Sequence, residues 1–156
     1  MSIEEKVVDL LIEKGYHISF AESCTAGLCS ARLVNVANAS KVLDVSFTTY
    51  ANEAKVKYLG VNEKTIHDFG VVSEEVAREM AEGVARETGS ETGVGVTGIA
   101  GPTGATDTKP IGMVCFGFYV NGNTVTFTKQ FGNIGRQNVR QVSSDFVFET
   151  LFKLLK

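Results

Sequence analysis

With 156 residues, 44% of them hydrophobic and 21% charged, the chain can bury a proper core and is too apolar for a disordered segment. Its net charge of -3, with no block of Lys or Arg, lacks the basic footprint of a nucleic-acid binder and the polybasic signal of a membrane-surface protein. Cys24, Cys29 and Cys115 are odd in number and not spaced as metal ligands, so a reducing setting is expected and a disulfide framework is not.

The N-terminal stretch "MSIEEKVVDLLIEKG" is amphipathic and acidic, unlike a secretory signal or transit peptide, and a cytoplasmic protein is expected. Ser2 and Glu5 form a capping-box pattern, Ile3, Val7, Leu10 and Leu11 recur at helical spacing, and Gly15 closes the helix. "YHISFA" reads as a strand, "TAGLCSARLVNV" as a second helix and "VLDVSFTTYA" as a longer strand. Asn52 is placed to cap a short helix through "EAKVKYLG", and Asn62 another through "EKTIHDFG". Ser73 caps the next helix, whose buried stripe is Val76, Met80 and Val84 with Ala77 and Ala81. "TGVGVTG" is a short strand that runs into the loop "IAGPTGATDTKP". "IGMVCFGFYV" and "TVTFTKQF" flank "NGN", a hairpin signal, and a last helix starts near Arg136 with Val139, Val142, Phe146 and Leu151. The pattern predicts one α/β domain over residues 1–156, a three-layer α/β/α sandwich on a mixed sheet.

Three stretches carry candidate chemistry. In "SFAESCTAGL" a strand meets a helix, with Ser23, Cys24 and Thr25 at the join. Free N–H groups from Cys24 through Ala26 to Gly27 would stabilise an anion or a developing oxyanion there. The local physics favours the plainer reading, a helix cap by Ser23 or Thr25, and no serine-hydrolase elbow is present. His17 sits early in a strand and His67 on a short surface helix, so neither has a triad context, and the pair makes no zinc site. Lysine is then the available base. Lys55 follows Tyr50 by five residues across a turn, and burial would lower its pKa enough to accept a proton; the plainer alternative is a solvated lysine. The glycine-rich "GVTGIAGPTG" is neither a Walker loop nor a dinucleotide fingerprint. Arg136 and Arg140, one turn apart, are placed to clasp a phosphate or carboxylate, or simply to form a solvated face.

Taken in order, "AESCTAG", "YANEAKVKYLGV", "GVVSEEVAREMAEG", "VTGIAGPTG" and "KPIGMV" resemble the CinA C-terminal domain family, the nicotinamide mononucleotide deamidases. The resemblance implies hydrolysis of the carboxamide of nicotinamide mononucleotide to nicotinic acid mononucleotide and ammonia, without metal or cofactor, by a self-associating protein; that it binds neither nucleic acid nor membrane is expected from its charge. It matches Ser23 to the nucleophile, Lys55 to the general base and Tyr50 to a hydroxyl joining them, with Thr97 and Gly98 of "VTGIAGP" at the active site and the arginines toward substrate. The chain departs from the family pattern at Ala26-Gly27, where Gly-Gly is usual, at "GNIGRQNVR", where Gly-Asp-Arg is usual, and at Met113, where Thr is common. Ala26 is expected to narrow the turn near the ligand. A non-catalytic binding domain of the same fold is the alternative from another class, and an amidase for a different small amide is a third.

Overall fold

Three parallel strands and one antiparallel hairpin share a single sheet in the computed structural model, which describes residues 1–156. The order is β2 (Phe47–Thr48), β1 (Ile18–Glu22), β3 (Thr92–Gly98), β4 (Met113–Val120) and β5 (Asn123–Gln130). The hairpin turns on Asn121 and Gly122, with φ of 44° and 98°, the left-handed pair that a two-residue turn of this twist requires.

Helices cover both faces. On one lie α1 (Ile3–Lys14), α2 (Leu28–Leu33) and α6 (Arg136–Leu155), which enclose Phe20, Phe116, Phe118 and Phe148. On the other, α3 (Asn52–Leu59), α4 (Glu63–Phe69) and α5 (Glu74–Thr88) build a second core around Leu59, Met80 and Val84. The expected three-layer sandwich is therefore what forms. No helix is long and apolar enough to cross a membrane.

The glycines of β3 and β4 set the spacing of the second layer. A Cβ at Gly93 would collide with the Ala81 carbonyl, and one at Gly117 with the Ala77 carbonyl. Helix α5 therefore rests its backbone directly on the sheet, with Val76, Ala77, Met80, Ala81 and Val84 all buried beneath it. Capping follows the sequence at three helices: the Ser2/Glu5 box on α1, Asn62 on α4 and Ser73 on α5.

Three expectations fail. Helix α2 covers only Leu28–Leu33, because residues 24–27 form a turn with Ala26 at φ 48° and Gly27 at φ 90°. The long strand expected from Val42 shrinks to Phe47–Thr48 plus one bridge at Leu43. In place of a ladder, the Ser46 hydroxyl accepts the Phe20 amide. Asn52 is not a cap: Ala51 precedes α3, without any side-chain bond, and Asn52 is the first helical residue.

Candidate active site

Parallel pairing brings three strand ends together. Glu22 of β1 lies level with Thr48 of β2 and Val96 of β3, so the residues after each strand meet at one carboxyl edge, where open α/β sheets hold ligands. Ser23 follows β1, its amide donating to the Val96 carbonyl; Thr49 follows β2, its amide donating to the Glu22 carbonyl. Thr97 and Gly98 end β3. A cavity of about 300 Å³ opens over this junction, lined by Ser23, Cys24, Tyr50, Lys55, Thr97 and Arg136 among others.

Glu22 explains why Ser23 is available. Its fully buried carboxylate accepts the amides of Cys29 and Ser30 at 2.9 and 3.0 Å and the Ser30 hydroxyl at 2.8 Å, so it caps α2 from the preceding strand. Neither Ser23 nor Thr25 is needed for that task. The Ser23 hydroxyl instead meets Lys55 Nζ at 3.2 Å.

Lys55 projects from the first turn of α3 back into the junction and is only 1% exposed. Its amine donates to the Thr49 carbonyl at 2.8 Å and the Tyr50 carbonyl at 3.2 Å. Burial lowers its pKa from 10.5 to about 8. A neutral amine has two N–H bonds and one lone pair. The protonated amine donates to the Ser23 hydroxyl as well as to both carbonyls; once it is neutral and two carbonyls take its two hydrogens, its lone pair is left facing the Ser23 hydroxyl. In that neutral form the amine could accept a proton from Ser23.

Cys24 is the neighbouring rival, but burial pushes its thiol up to about 12, so it stays protonated at neutral pH. The turn it belongs to carries donors. The Ala26 amide is spent on the Ser23 carbonyl and the Leu28 amide on the Thr25 carbonyl, whereas the amides of Cys24, Thr25 and Gly27 have no acceptor within the protein. Gly27 faces elsewhere, lining a separate hollow of about 630 Å³ beside β2 that contains Asp44 and four hydroxyl side chains but no lysine or histidine.

The other predicted residues divide. The Tyr50 side chain lines the cavity but its hydroxyl accepts from Arg136 Nη2 at 2.9 Å, not from Lys55; the bond to Lys55 comes from the Tyr50 backbone. Arg136 also donates to the Gly101 carbonyl at 2.8 Å, bridging two sides of the mouth. Arg140 is outside the cavity lining and donates to the Cys24 and Thr25 carbonyls at 2.8 and 3.0 Å. The expected arginine clasp therefore does not form, because the two side chains are committed to different backbone segments. Ala26 is exposed and outside the lining as well, so its methyl does not narrow the cavity; its consequence is backbone strain instead. Thr97 donates to the Val71 carbonyl at 2.9 Å and keeps its lone pairs.

Sequence reasoning missed Asn52, the Val71-Val72 wall and the Thr103-Gly104 rim. Only Asn52 had a local signal, and a helix cap was the competing use for it. The wall is held by Lys109, whose amine donates to the Phe69 and Val72 carbonyls across roughly forty residues of chain, a pairing no local pattern reveals.

A sequence profile of the CinA C-terminal domain matches residues 1–155. A CinA-like protein of Kosmotoga olearia is 49% identical over 157 residues, covering 99% of this chain and 38% of its own length. Another CinA-like protein, from Dictyoglomus turgidum, is 54% identical over 121 residues, covering 78% of this chain and 29% of its own. The chain thus spans well under half the length of these curated relatives. Among solved structures, the competence/damage inducible protein CihA from Agrobacterium tumefaciens superposes with a TM-score of 0.94 at 37% identity over 100% of both chains. A CinA superfamily protein from Enterobacter cloacae gives 0.95 at 30% identity, over 99% of this chain and 90% of that one. The chain belongs to the CinA C-terminal domain family.

Proposed function

We propose that the chain is a serine amidohydrolase that converts nicotinamide mononucleotide to nicotinic acid mononucleotide and ammonia. The observation that carries this reading is the buried Lys55 amine, lowered to about 8 and set against the Ser23 hydroxyl with its other hydrogens engaged. Neutral Lys55 takes the Ser23 proton as Oγ attacks the carboxamide carbon. The free Cys24 and Thr25 amides receive the oxyanion. Collapse breaks the C–N bond, and the proton returns from Lys55 to the departing nitrogen, so ammonia leaves and an ester remains on Ser23. Water, deprotonated by Lys55, then attacks that ester; the proton passes to Ser23 Oγ as the acid departs.

The phosphate would have to draw Arg136 from the Gly101 carbonyl or the Tyr50 hydroxyl, its present partners. Those commitments favour a second reading, an amidase for a smaller amide without a phosphate. A cavity of about 300 Å³, at the lower end for small-ligand sites, points the same way. The functional reading also includes a cytoplasmic, self-associating protein.

Purified protein is mixed with nicotinamide mononucleotide and a chelator, and ammonia is measured against the acid product. Equal yields of the two, lost in Ser23→Ala, support the proposal. Hydrolysis of nicotinamide but not of its mononucleotide supports the smaller amide, and no ammonia from either rejects both.

A further inference from the structure

We infer that Arg140 is a positioning residue for the oxyanion-binding turn rather than a ligand for the substrate; this rests on the amidohydrolase reading above. Two consecutive peptide groups follow Ser23, and each has its carbonyl tied down and its amide free. The Ser23 carbonyl accepts the Ala26 amide at 3.1 Å, which fixes the Ser23–Cys24 peptide and therefore the direction of the Cys24 N–H. The Cys24 carbonyl accepts Arg140 Nε at 2.8 Å, which fixes the next peptide and the direction of the Thr25 N–H. A planar trans peptide sets C=O and N–H antiparallel, so the Thr25 N–H points directly away from the guanidinium. Arg140 reaches the turn from α6 and lies outside the cavity lining, whereas Cys24 lies within it. Of the turn only Cys24 lines the cavity; Thr25 is fully buried just behind it, and its unpartnered N–H is directed away from the guanidinium.

The second arm of the guanidinium strengthens the arrangement. Nη2 donates to the Thr25 carbonyl at 3.0 Å, so one rigid planar fork spans two successive carbonyls. That rigidity matters here because the next residue, Ala26, sits at φ 48°, a conformation from which a non-glycine residue tends to relax. A full positive charge on the Cys24 carbonyl also polarises its peptide group and makes the Thr25 N–H a better donor. Lysine offers no such fork. It would serve one carbonyl at a time.

The test compares wild type, Arg140→Ala, Arg140→Lys and Arg136→Ala after confirming by circular dichroism and melting that each is folded; Arg140→Lys decides if Arg140→Ala does not fold. Turnover of nicotinamide mononucleotide is measured together with the rate at which a small phosphonofluoridate modifies Ser23. A misaligned donor costs up to about 10²–10³ in kcat when lost outright. The expected result is a fall in kcat of at least about tenfold in Arg140→Ala with KM within about threefold, a parallel fall in Ser23 phosphonylation, partial recovery in Arg140→Lys and rescue of Arg140→Ala by added guanidinium. Arg136→Ala should instead raise KM. A raised KM at unchanged kcat in the Arg140 variants, or no change in either, overturns the inference and leaves the functional reading standing. If wild type does not hydrolyse the mononucleotide, that reading fails, and phosphonylation still decides: slower labelling of the Arg140 variants supports the positioning role, while equal rates, or no labelling of wild type, overturn it.

Discussion

If neutral Lys55 takes the Ser23 proton, turnover must follow the unprotonated fraction of that amine. With Lys55 lowered by burial to about 8, the neutral fraction is roughly one tenth at about pH 7, half at about pH 8 and nine tenths at about pH 9. The rate constant kcat/KM should therefore rise about tenfold between about pH 7 and pH 9, with a logarithmic slope near one at the acid end and a plateau beyond. Initial rates of ammonia release in buffers of constant ionic strength provide the assay. The same shift acts on stability. Below about 8 both folded and unfolded chains carry a protonated Lys55, and the full cost of burying it is present. Between about 8 and 10.5 the folded chain has released the proton and the unfolded chain has not, so stability gains with rising pH, by at most about 3 kcal/mol. Lys55→Met removes that gain and all turnover. It also strands the Thr49 and Tyr50 carbonyls, which costs about 1–3 kcal/mol, so the difference from wild type at neutral pH is small. The diagnostic is that wild type gains on the variant as pH climbs past about 8. A flat rate profile from pH 7 to 9, or an inflection near 10 as for a solvated lysine, would refute the reasoning.

Further predictions follow from individual contacts. Ala26→Gly should relieve the left-handed strain and stabilise by about 0.5–1 kcal/mol, raising Tm by roughly 1–4 °C, with turnover unchanged because the residue lies outside the cavity. Cys24→Ala should retain turnover across neutral pH, since a thiol held at about 12 supplies no thiolate; loss of activity with the fold intact would reinstate it as the nucleophile. Tyr50→Phe frees Arg136 from its hydroxyl partner while leaving the carbonyl bond to Lys55, so KM should change more than kcat. Gly117→Ala places a methyl against the Ala77 carbonyl and should destabilise by about 1–3 kcal/mol in a denaturant titration.

The parts legible in the sequence are those fixed by near neighbours. Asn121-Gly122 announces its hairpin because the turn needs two left-handed residues in a row. β3 coincides with "TGVGVTG", and the stripe of α5 from Val76 to Val84 is buried as its spacing requires. What escaped local reading depends on groups brought in from a distance. Helix α2 is capped by a carboxylate seven residues back, across a turn that propensity reads as helix. β2 shortens because a serine hydroxyl replaces a ladder bond. In the site, Lys55 emerges from the residues as the available base and its pairing with Ser23 from the family resemblance, while the local physics favours a cap over a nucleophile at Ser23. The capping role of Glu22 removes one of those alternatives. The two arginines share a helix face in sequence but serve separate backbone segments, which only the fold determines.

The central claim, that Ser23 forms the covalent intermediate with Lys55 as its base, is tested most directly by acid-quenching the turning-over protein and mapping the adduct by peptide mass spectrometry. The account predicts an acyl group from the substrate on the peptide carrying Ser23, retained in Cys24→Ala and absent from Ser23→Ala and Lys55→Met. An adduct that moves with Cys24, or undiminished turnover in Ser23→Ala, would contradict it.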